Sequence, residues 1–130
     1  MTEIATLVED ALACLATEHP PAYAAMTAAL GSRRFDLQIS DEAFMLDVGT
    51  SLDATVIEIA TDLTTLAAVI DGELGMLDAI LADRVEIYAS PDDLIAVAEA
   101  MKHFMQGALR CVSMVAVLDR LVALRKDRGE

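Results

Sequence analysis

Apolar positions recur with two different periods along this chain, and the period changes more than once. Ile4, Leu7, Val8, Ala11, Leu12 and Leu15 lie at helical spacing with Glu3, Glu9 and Asp10 opposite, which predicts an amphipathic helix ended by His19-Pro20-Pro21. Pro21 suits the start of a second short helix, AYAAMTAAL, with Gly31 as its stop. The period then drops to two. Phe35, Leu37 and Ile39 alternate with Asp36 and Gln38 over Arg34 to Ser40, and Phe44, Leu46 and Val48 alternate with Met45 and Asp47 over Ala43 to Val48. Ser40-Asp41-Glu42 between them reads as a turn, so the two runs predict a hairpin. A third run, Thr55 to Ala60, sets Ile57 and Ile59 against Val56 and Glu58. Each strand has one apolar face, as in an antiparallel sheet with one wet side.

Helical spacing returns after Thr61-Asp62, either of which can cap. Leu63, Leu66, Ala67 and Ile70 form a stripe that Gly72 ends, and Leu77, Ile80 and Leu81 follow on a further turn. A fourth strand places Val85 and Ile87 opposite Arg84, Glu86 and Tyr88. Ser90-Pro91-Asp92-Asp93 is a turn and helix start, with Asp92-Asp93 read as a capping pair. From there to about Lys126 the pattern is helical, with a bend expected near Gly107 to Cys111. Beyond it CVSMVAVL is apolar nearly all round, which predicts a helix buried on more than one side. The expected class is α+β: a mostly antiparallel sheet of four or five strands with helices on one face. It forms one domain, with amino-terminal helices over 1–31, sheet and central helices over 33–107, and a carboxyl-terminal helical extension over 108–126. Asp36, Asp47, Glu58 and Glu86 are expected on the sheet's other face.

Composition narrows the function. The 130 residues hold 22 Asp+Glu against 9 Lys+Arg, a net charge of −13 that repels phosphate backbones, so no nucleic-acid partner is expected. Apolar residues make up 55% of the chain, above the roughly 45–50% of ordinary soluble domains. No uncharged stretch is long enough to span a membrane, and an acidic amino end unlike a signal peptide points to the cytoplasm. The surplus apolar content therefore belongs to a buried interface or an internal cavity. Cys14 and Cys111 match no metal spacing and read as small core residues. No nucleophile elbow, phosphate loop, dinucleotide fingerprint or zinc pattern is present. His19 and His103 lack local catalytic partners, and Asp71 and Glu73 around Gly72 read as solvated carboxylates. No enzyme activity, cofactor or metal is expected.

The segment TDLTTLAAVIDGELGMLDAILADRVEI, Thr61 to Ile87, resembles the central signature of the sterol carrier protein 2 (SCP2-like) family. Leu66, Ile70, Gly72, Leu74, Ala79, Arg84, Val85 and Ile87 fall at the matching places, and the resemblance covers about residues 30 to 105. It departs at Asp83, where the family often has glycine, at Ala89 to Asp93, where Gly-Asp is common, and at Cys111 to Glu130, which extends past the usual end. The resemblance implies an apolar tunnel between sheet and helices for a fatty acyl chain, acyl-CoA, phospholipid or sterol. Phe35, Leu37, Phe44, Leu46, Ile57, Ile59, Leu66, Ile70, Val85, Ile87, Met101 and Met105 are its expected wall, and Met101 to Leu109 its candidate lid. Methionines suit a lining that adapts to variable shapes. The competing expectation is a non-catalytic assembly module whose carboxyl-terminal helix makes a homodimer or partner contact.

Overall fold

A computed structural model describes residues 3–47 and 55–129. Val48, expected on the inner sheet face, lies outside the described residues. Helix α1 (Glu3–Glu18) buries Ile4, Leu7, Ala11 and Leu15, the stripe its spacing marks out. It is followed by α2 (Pro20–Leu30), because two prolines have no N–H to donate to the preceding turn but fit a helix start. His19 caps α2 with its imidazole: Ala22 N–H donates to Nδ1 at 3.2 Å.

Strands β1 (Arg33–Ile39) and β2 (Glu42–Asp47) form the expected hairpin, closed by Ser40 and Asp41 alone. Ser40 has positive φ, +55°, at the first turn residue. Glu42, expected in the turn, instead begins β2 and is only 8% exposed. A carboxylate is tolerable there because both its oxygens are used. Oε1 accepts Ile4 N–H at 3.0 Å and Oε2 pairs with Arg128, so three distant segments meet at one side chain.

Strand β3 (Thr55–Thr61) pairs with β1, not β2, and runs parallel to it. β4 (Glu86–Tyr88) then adds antiparallel to β3, giving the order β2-β1-β3-β4. The sheet is thus mixed, with two antiparallel pairings and a parallel central one where a mostly antiparallel sheet was expected. β3 runs in the sense it would have in a simple meander but lies beside β1 instead of β2, which makes the pairing parallel. The alternation itself holds: Phe35, Leu37, Ile39, Ile57 and Ile59 are buried, while Asp36, Asp47, Glu58 and Glu86 are exposed.

Helices α3 (Leu63–Ile70) and α4 (Met76–Leu81) link β3 to β4. Of the two possible caps for α3, Asp62 serves, accepting Thr65 N–H at 2.7 Å, while Thr61 closes β3. Gly72 leaves α3 with φ of +82°, a conformation glycine adopts without strain. After α4, Asp83 takes φ of +59°. Left-handed backbone costs a β-carbon-bearing residue roughly 1–2 kcal/mol, less for Asp. Asp83→Gly is therefore expected to raise the thermal midpoint by roughly 3 °C, measured by calorimetry.

Helix α5 (Pro91–Ala108) is capped by Ser90, whose Oγ accepts Asp93 N–H at 3.2 Å. Asp92 and Asp93 sit in its first turn, not at the cap, which corrects their reading as a capping pair. Arg33 Nε donates to Asp93 at 2.7 Å, and this bond holds the Asp93 carboxyl below the usual carboxylate range. The expected bend is a full break: α5 ends at Ala108 and five residues separate it from α6 (Met114–Asp127). Helix α6 packs on α1 and α3 through Met114, Val117 and Leu121. Burial on more than one side is not observed, since only that face meets partner helices and Val112, Val115 and Val122 remain exposed. No helix among the described residues is long and apolar enough to cross a membrane.

Candidate functional site

The inner face of the sheet and the helices over it border a partly open cavity of about 180 Å³. Strand alternation brings Phe35, Leu37 and Ile39 to it from β1, Leu46 from β2 and Ile59 from β3. Helix α3 contributes Leu66, Val69 and Ile70, and α5 contributes Val97, Ala100, Met101 and Phe104. Val85 and Met76 complete that side. Among the described residues no charged one lines the wall, and the only polar ones on it are Thr61 and Thr65. Thr61 Oγ1 donates to the Arg84 carbonyl at 3.0 Å, so that hydroxyl is already engaged.

Eight of the twelve residues expected on the wall therefore border the void: Phe35, Leu37, Leu46, Ile59, Leu66, Ile70, Val85 and Met101. Four do not. Ile57 shares the inner face with Ile59 but is fully buried in packed core, paired with Phe35. Phe44 and Ile87 lie on the edge strands β2 and β4, half-buried against the core and clear of the cavity. Met105, on α5, reaches towards the Gly72 turn instead, its Cε 4.0 Å from where a β-carbon on that glycine would stand.

Sequence reasoning missed the amino-terminal contribution. Val8, Ala11 and Leu12 from α1, with Met26 and Leu30 from α2, supply the wall facing the sheet. Their helical stripes were visible, but a stripe does not say whether it meets another side chain or a void. The same holds for Phe104, one turn beyond Ala100 on α5. Val8, Ala11, Leu66 and Ile70 form a partition, bordering on their far side a void of about 20 Å³ lined by Met114, Val117, Leu118 and Leu121. Helix α6 thus backs the wall instead of closing it.

The thiols lie apart from this wall. Cys111 is buried between α5 and α1, its Sγ donating to the Gly107 carbonyl at 3.3 Å. Burial, then the charges of Glu18 and Cys14, push its thiol up from the ordinary value, leaving it protonated and inert near neutrality. Among the described residues no group of His, Cys, Asp and Glu could hold a metal ion. A wall of this kind can hold apolar groups. No protein-family model, curated protein or solved structure matches the chain.

Proposed function

We propose that this protein binds a small apolar molecule or acyl group in the cavity between sheet and helices and carries it without chemical change. The observation that carries the reading is a void of about 180 Å³ with no charged side chain on its wall. Well-packed interiors leave few voids larger than a water molecule, and one lined by aliphatic and aromatic groups stays dry. An apolar cavity of about 150 Å³ accepts benzene, so this one accommodates about seven heavy atoms as it stands. Each buried methylene contributes ~0.8 kcal/mol, enough for binding without a polar contact. A longer acyl chain or a sterol needs the helices to part, and α5, which presents Met101 and Phe104, is the element to move.

Three methionines, Met26, Met76 and Met101, line the cavity, while Met45 lies exposed on the opposite sheet face. In protein labelled with carbon-13 at the methionine methyls, titration with n-heptane is expected to shift the first three signals and leave Met45 unmoved. Uniform or absent shifts would remove the reading.

A second reading, self-association, is favoured by one observation. Leu109, Val112 and Val115 cluster in sequence at the α5–α6 junction and are 86%, 85% and 61% exposed. Large apolar side chains this exposed and this close in the chain are a common mark of an interface. If they form a homodimer contact, sedimentation should give twice the chain mass at high micromolar concentration, and Val112→Glu with Val115→Glu should halve it. A monomeric wild type would exclude this reading.

A further inference from the structure

Thr65 stands on the cavity wall and is 1% exposed, and its Oγ1 has no hydrogen-bond partner among the described residues. A threonine within a helix ordinarily bonds its hydroxyl to the carbonyl four residues back. Here that residue is Thr61, which belongs to β3 and not to the helix, and its carbonyl accepts Ser40 N–H at 2.9 Å. A buried hydroxyl left unpaired is costly, and valine would fill the same space without that cost. A resident water is a poor remedy, since buried waters need about two to four polar partners and, with the Thr61 hydroxyl already donating to Arg84, the described wall offers only the lone pairs of Thr61 and the Thr65 hydroxyl. Threonine in helices uses two side-chain rotamers, so methyl and hydroxyl can exchange places by rotation about the Cα–Cβ bond without moving backbone.

We propose that Thr65 is the polar anchor of the cavity, and that the ligand is a neutral chain carrying one hydroxyl or carbonyl oxygen. This rests on the apolar-cavity reading and narrows it. The oxygen belongs to a neutral group because no Lys, Arg or His lines the wall. A carboxylate there would be a buried charge without compensation, inside a chain of net charge −13.

The test compares n-heptane with 1-hexanol, in which an oxygen replaces one terminal methyl, on the methionine-labelled full chain. Thr65→Val is expected to weaken 1-hexanol about fivefold, leave n-heptane unchanged and keep or raise the melting temperature. Thr65→Ser, which retains the hydroxyl, should bind 1-hexanol like the wild type. Thr65→Ala replaces the valine variant should that fail to fold. Hexanoate at neutral pH should bind at least tenfold more weakly than 1-hexanol to the wild type. Equal effects of the Thr65 variants on both neutral probes, or no effect on either, would overturn the anchor while leaving the cavity standing. Hexanoate binding more tightly than 1-hexanol would overturn the neutral class. If neither neutral probe binds the wild type, the cavity reading fails and the anchor with it.

Discussion

Ile59→Trp is expected to abolish uptake of an apolar probe while leaving the far-UV circular dichroism spectrum unchanged. Ile59 lies in β3 between Leu37 of β1 and Ile87 of β4, and its side chain borders the cavity. An indole at this position extends into space that is already empty, so the added volume displaces ligand before it displaces protein. A ligand of about seven carbons gains up to ~5 kcal/mol from burial, and occupying most of the void should lower affinity at least a hundredfold. Ile59→Phe brings no N–H in need of a partner and should show the same loss in weaker form. Fluorescence titration with an environment-sensitive probe supplies the measurement. Unchanged affinity in a folded tryptophan variant would mean that the probe binds elsewhere.

The second large effect concerns the helices that cover the cavity. Gly107→Val should cost about 3 kcal/mol and lower the thermal midpoint by roughly 10 °C. At Gly107 α5 comes close to both α1 and α2. A β-carbon there would overlap Leu15 Cδ1 and stand 2.5 Å from the Ala22 β-carbon. Leu15 is fully buried and Ala22 has no side chain to swing away, so neither neighbour yields cheaply. The added side chain must push α5 outward, and α5 carries Met101 and Phe104 on the cavity wall. Glycine is otherwise a poor residue inside a helix, costing about 1 kcal/mol against alanine, so its presence at this crossing reflects the close approach. A variant melting within about 2 °C of the wild type would show that the helices can separate at little cost.

The same glycine marks a limit of sequence reading. A bend near Gly107 to Cys111 was legible, because a glycine interrupts a long apolar stripe. That the glycine admits Leu15 and Ala22, ninety-two and eighty-five residues earlier, was not. Cap chemistry divided similarly. Ser90 or Thr61-Asp62 could be named as helix starts from residue type, but Asp62 was selected over Thr61 only when Thr61 became the last residue of β3. Glu42 looked like a turn residue because carboxylates favour turns. Its burial depends on Ile4 N–H and Arg128, which no local pattern connects.

For the cavity, the sequence by itself determined which side of each element is apolar. Period is a local property, set by 3.6 residues per helical turn and two per strand repeat, so Phe35, Leu37, Ile59, Leu66 and Met101 could be assigned to inner faces without a partner in view. The net charge and the absence of a charged residue from those faces were equally plain. Only the tertiary structure decided that β3 joins β1 in parallel, since either edge of the hairpin accepts the same alternation. It alone decided that Ile57 packs while Ile59 borders empty space, and that α1 and α2 close the far wall. A void is the volume left after every neighbour has been placed, a sum over contacts distant in sequence that no single element encodes.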